Sequence, residues 1–160
     1  MLFITLAVLG LFIGIFLCMG LYAITIIDFY ALSKILIGFA IVGFLIPLKY
    51  YQKWFHFIKY EMIIFNIIGV APLFTGLFLT INFLLASNPK TTTYKIEKLY
   101  YDHSRFMGVV LENNTFDDEP KIVGFPNITI REVAGKGFLK LTVAEGLFGF
   151  EVIKNRTLIK

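Results

Sequence analysis

Residues suited to chemistry are few and scattered. Asp102, His103 and Ser104 carry the three side-chain types of a hydrolytic triad. Consecutive residues on an extended chain point in different directions, however, and a triad is assembled from distant positions. Glu112, Asp117, Asp118 and Glu119 offer oxygen ligands to a hard cation, but they lack the spacing and the glycine of a calcium loop and read as a solvated turn. His56, the other histidine, has no second histidine at zinc-ligand spacing. No glycine-rich segment follows a strand and opens a helix, as a phosphate loop requires. The single cysteine, Cys18, excludes an intramolecular disulfide. The chain is expected to be no enzyme and to hold no cofactor or metal.

The elements that carry these residues are dominated by three charge-free runs, Met1 to Ile27, Ile35 to Leu48 and Met62 to Ala86. With 58% hydrophobic and 16% charged residues and a mean hydropathy of +0.77, the 160-residue chain has too few charges for an ordinary soluble domain. A hydrocarbon core of about 30 Å takes roughly 20 helical residues to cross. The outer two runs are long enough. The middle run becomes so if it extends back to Phe29 and the Lys34 stem snorkels to the surface; a re-entrant segment is the alternative. Spans are therefore expected over residues 2–27, 29–48 and 62–86. The first run reads as a retained span, because no Lys or Arg precedes it and it exceeds the apolar segment of a cleaved signal peptide.

Residues 49–61 form the most patterned stretch. At 100° per residue Lys49, Gln52, Lys53, His56 and Lys59 share one face, with Tyr51, Trp54, Phe55 and Ile58 on the other. An amphipathic, aromatic-rich stretch between two spans belongs at the headgroup level, and Lys49, Lys53, Trp54, Lys59 and Tyr60 are the expected membrane-interface residues. In the first span Gly10 and Gly14 make a GxxxG pair extended by Cys18. In the third, Asn66, Gly69, Pro72 or Gly76, and Thr80 recur at helical spacing. Gly10, Gly14, Asn66, Gly69 and Gly76 are the expected helix-packing residues, with self-association through Gly10 and Gly14 as the sharper possibility. Pro72 is expected to kink its helix unless a neighbouring group compensates.

Ser87-Asn88-Pro89 reads as a breaker, after which the composition becomes that of a small antiparallel β domain over 90–160. Strand candidates are Thr91–Tyr101, Arg105–Leu111, Asn127–Val133, Phe138–Val143 and Phe148–Ile153, the last two as a hairpin. The fold class is thus an α+β membrane protein, three transmembrane helices over 1–87 followed by that domain. Sequons at Asn113, Asn127 and Asn155 read as chance occurrences.

A net charge of +4 divides evenly between the halves, so no nucleic-acid-binding stripe is expected. Lysine placement favours a cytoplasmic N-terminus and an extracytoplasmic β domain in the inner membrane of a bacterial cell. The partners expected are the lipid bilayer and either another protein or further copies of the chain. The function these features favour is that of an accessory or scaffold subunit of a membrane complex, with the exposed face of the last hairpin contacting its partner. Alternatives are a subunit of an oligomeric transporter or channel, whose path Asn66, Pro72 and Thr80 would line, and a membrane immunity or protective factor.

Overall fold

The computed structural model describes residues 2–102, 105–112, 120–125, 133 and 135–160. It is α+β and divides into two compact units, Met1–Leu85 and Ala86–Lys160.

The first unit is helical. Helix α1, Leu2–Tyr22, stops five residues short of the expected Ile27, where the β-branched run Ile24-Thr25-Ile26-Ile27 takes over. Thr25, fully buried, donates its hydroxyl to the Leu21 carbonyl at 2.7 Å. Asp28 caps α2, Phe29–Phe44, by accepting from the Ala31 N–H. The expected second span to Leu48 is cut short: Pro47 opens a separate helix α3, Leu48–Phe55, bent by 83° from α2. A proline suits the start of a helix and disfavours helical geometry in the residue before it. The amphipathic stretch is also not one helix. His56 closes α3 in the left-handed conformation (φ 60°), and α4, Lys59–Phe65, begins the long third helix, so Lys59 and Tyr60 sit in its first turn. Glu61 accepts from the Ile58 N–H at 2.9 Å there, satisfying one of the free amides at the helix start.

A π-helical turn, Asn66–Val70, joins α4 to α5, Ala71–Leu84. Pro72 follows it by two residues. Its ring cannot occupy a regular helix without striking the carbonyl four residues back, and the wider turn supplies the room. The whole of Lys59–Leu84 stays one helix of 26 residues, with the π turn placed just before the proline. Among the described residues this one helix is long and apolar enough to cross a membrane, and the bent α2–α3 pair would be a second if it formed a single span.

Helices α1 and α5 run side by side in the same direction. A Cβ at Gly14 would stand 2.6 Å from the Leu73 backbone, and one at Gly76 would stand 2.9 Å from Leu17 Cβ and 3.2 Å from the Gly14 carbonyl oxygen. Glycine at both positions lets the backbones touch. Gly10 is looser, 3.9 Å from Leu73, and Gly69 lies against the Phe65 ring within its own helix. Phe39 of α2 stacks on Phe74 (5.8 Å) and meets Phe78 edge-on (6.3 Å).

The second unit is a four-stranded antiparallel sheet of order β2-β1-β3-β4. Strand β1, Ser87–Asp102, is its long member; the expected breaker lies inside it, tolerated by a register shift between Ser87 and Lys90 and by Asn88 at φ 52°. Its first half pairs with β3, Phe138–Glu145, and its second half with β2, Arg105–Leu111, on the opposite edge. Strand β4, Glu151–Ile159, starts three residues later than expected, because Gly146–Phe150 make the turn of the β3–β4 hairpin and Gly149 takes φ 81°. A bulge between Thr142 and Val143 shifts the inward side chains from Leu139 and Leu141 to Ala144. The strand expected at Asn127–Val133 lies outside the described residues save for Val133, which is buried.

A short helix α6, Pro120–Val123, covers β2. Gly108 bridges Gly124, and a Cβ on Gly108 would sit 2.5 Å from the Val123 carbonyl oxygen. Arg156 of β4 holds α6 in place, donating to the Lys121 carbonyl while its guanidinium lies 4.9 Å from the centre of the Phe125 ring. Burial pushes this group down from its ordinary value, yet a guanidinium stays charged at any physiological pH.

Two outcomes follow from this packing. Gly14→Val is expected to lower stability by about 1–3 kcal/mol through overpacking, whereas Gly20→Val, with open space around it, leaves the melting temperature in mild detergent nearly unchanged. Arg156→Met keeps the stem but removes the charge-assisted bond and the ring contact, and should cost about 1–3 kcal/mol, read as a lower urea midpoint for loss of β-sheet circular dichroism.

Candidate functional site

A buried hydrogen-bonded cluster lies where α2, α3 and the π turn meet. Asn66 is fully buried, and its amide is answered by Tyr51, the one buried residue of α3. Tyr51 Oη stands 3.0 Å from the Gly43 carbonyl oxygen and 2.9 Å from Asn66 Oδ1. A phenol has a single proton and can donate to only one of them. With Oδ1 facing the phenol, Asn66 Nδ2 is left buried without an acceptor. Turning the amide over removes the contest for the phenol proton: Nδ2 donates to Tyr51 Oη, which donates to the Gly43 carbonyl, and Oδ1 takes the buried place that Nδ2 held. The chain Asn66 to Tyr51 to Gly43 is then a relay of two hydrogen bonds joining three helical elements.

Gly43 is what permits this approach. A Cβ there would overlap the Asn66 amide and stand 3.2 Å from Val70. Aromatic rings close the site on the α4 side: Phe65 lies 6.4 Å from Tyr51, 5.6 Å from Phe55 and 5.3 Å from Phe57. A cluster of this kind contributes beyond its area, at about 0.5–1.5 kcal/mol per pair. Helical spacing puts Tyr51 with Trp54, Phe55 and Ile58 on the face opposite the lysines, and of α3 it is Tyr51 that turns fully inward, to the Asn66 carboxamide. The signal that locates the bend is Pro47. No local pattern marks Gly43, since the requirement comes from a residue 23 positions away.

The remaining face of α3 is open. Lys49, Lys53 and Trp54 are exposed, as are Lys59 and Tyr60 at the start of α4. Tyr50 and Trp54 pair at 5.6 Å, and the Lys49 ammonium lies 5.2 Å from the Tyr50 ring centre. Thr75 and Asn82 of α5 are fully buried as well, and the Thr75 hydroxyl finds no hydrogen-bond partner among the described residues. Thr80 turns its hydroxyl back onto the Gly76 carbonyl at 2.7 Å.

In the β unit Glu112 forms an exposed ion pair with Lys95 at 2.8 Å and holds that ammonium above its ordinary value. Asp117, Asp118 and Glu119 lie outside the described residues, as do His103 and Ser104. Among the described residues no group of three His, Cys, Asp or Glu side chains gathers around a point. An apolar cleft of about 340 Å³ lies beside Gly108 and Gly124, with Tyr100, Met107 and Val123 at its walls.

The relay predicts unequal effects at its two ends. Tyr51→Phe strands the buried Asn66 amide, while the Gly43 carbonyl keeps the Ile46 N–H at 3.2 Å, and should cost about 1–3 kcal/mol. Asn66→Leu leaves Tyr51 bonded to Gly43 and should cost less. In the double variant the loss should fall below the sum of the two, as a double-mutant cycle of melting temperatures in detergent will read.

Compared with known proteins, the chain matches no family model, no curated protein and no solved structure.

Proposed function

We propose that this chain is a small non-enzymatic integral membrane protein, an accessory or scaffold subunit whose helical unit is embedded in the bilayer and whose β domain contacts a protein partner. The observation that carries the membrane part is the burial of Lys59–Leu84. Only 33% of its most apolar stretch is buried within the protein, whereas the core helix of a soluble protein is mostly buried. Phe12, Phe16 and Met19 on α1 and Ile37 and Ile41 on α2 are likewise exposed, an amount of bare hydrocarbon that suits lipid better than water. On this reading α1, α2 and α4–α5 are three spans. The 16 residues of α2 reach about 24 Å, and α3 turns aside at the headgroup level.

The scaffold part rests on the β unit. Tyr100 and Met107 are exposed at the apolar cleft, and Leu147 and Phe148 are exposed at the tip of the β3–β4 hairpin. These are aromatic and aliphatic anchors of the kind that protein interfaces use. A transport role draws less support, since Asn66 spends its amide on Tyr51 and Thr80 its hydroxyl on its own helix.

Tagged protein extracted from its native membrane in mild detergent should bring down another membrane protein at fixed stoichiometry, identified by mass spectrometry. Tyr100→Ala with Phe148→Ala should reduce that recovery without moving the chain out of the carbonate-resistant membrane fraction. Recovery of the chain alone, or with copies of itself only, would overturn the scaffold reading.

A further inference from the structure

The helix α3 has three sectors whose order around its axis is informative. At 100° per residue, Lys49 and Lys53 occupy one sector, Tyr50 and Trp54 the next, and the inward Tyr51 and Phe55 the third. Charge, amphipathic rings and protein-facing apolar surface therefore follow one another around the helix. The side chains also hold these places: Tyr51 is anchored to Asn66 and Gly43, and the neighbouring ring of Phe55 packs on Phe57 at 5.2 Å. Just beyond α3, Lys59 adds a third exposed ammonium at the first turn of α4. The carboxylate nearest to it in sequence, Glu61, is engaged by the Ile58 N–H. The elbow thus carries three lysines against one committed acid.

We propose that this elbow is a binding site for the phosphate groups of anionic phospholipids, with Lys49, Lys53 and Lys59 as the cationic contacts and the Tyr50–Trp54 pair seated at the boundary between headgroups and acyl chains. This rests on the membrane reading above and adds a chemical preference to it. Lysines on an interfacial helix attract anionic headgroups, each contributing independently within a Debye length of the surface. The tyrosine and tryptophan rings have an apolar body and a polar tip, which fits them to that depth. The 83° bend sets α3 across the direction of α2, so a spanning α2 lays α3 along the surface and turns its lysine sector to the phosphates. The Tyr51 relay is then a positioning device for the lipid site, because it fixes the rotation of α3 about its own axis.

Trp54 is the sole tryptophan of the chain and reports on this site directly. The full chain is reconstituted into vesicles of phosphatidylcholine and phosphatidylglycerol in equal amounts, with bromine-labelled acyl chains on one lipid or the other. Phosphatidylglycerol labelled in this way should quench Trp54 at least about twofold more than labelled phosphatidylcholine, and high salt should erase the difference. Lys49→Gln with Lys53→Gln and Lys59→Gln should equalise the two lipids while leaving quenching by phosphatidylcholine intact. Equal quenching of the native chain by both lipids overturns the anionic preference and leaves the membrane reading standing. Absence of quenching by either lipid overturns both. Tyr51→Phe, which retains every lysine, should reduce the preference if rotation of α3 matters; an unchanged ratio would remove the positioning role from the inference.

Discussion

An amide group enclosed by hydrocarbon must find hydrogen-bond partners or cost several kcal/mol, and in this chain Asn66 is fully enclosed. The consequences spread outward from it. Tyr51 must come within 2.9 Å, which brings α3 against the start of the long third helix. Gly43 must lack a side chain, because α2 has to present its carbonyl to the same phenol. The helix cannot continue straight from α2 into α3 and still deliver Tyr51 there, and Pro47 supplies the break. A proline, a glycine, a tyrosine and an asparagine far apart in the chain are thus one constraint.

The same third helix meets a second demand six residues on. Pro72 withholds a backbone donor inside an apolar segment, where an unpaired carbonyl is as costly as an unpaired amide. The π turn Asn66–Val70 absorbs the misfit within one continuous helix, which goes on to make the close backbone contact with α1 at Gly14 and Gly76.

Different forces hold the β unit. Its core is thin, as expected for a domain of this size, and leans on Val109, Ile122, Leu139, Leu141 and Val152. One polar device stands out, the Arg156 guanidinium clasped between a carbonyl of α6 and the Phe125 ring. It ties the last strand to the segment that covers β2, so that the two ends of the sheet share a fastening although they never pair.

What the amino-acid sequence determined by itself is the class of each segment. Absence of charge over long runs, and alternation with β-branched residues after residue 87, are local properties, and each predicts its own solvent or its own period. The β3–β4 hairpin was legible for that reason, and so was the approximate place of the long third helix. Helix ends were less so: the halt at Tyr22 and the break at Pro47 carry local marks, but a continuous apolar run hides them. Only tertiary structure decided that Tyr51 faces inward, that Gly43 must be glycine and that Arg156 reaches α6. Each of these is a pairing between residues remote in sequence, set by the need to satisfy a buried polar group, and no window of neighbouring residues contains both halves of such a pair.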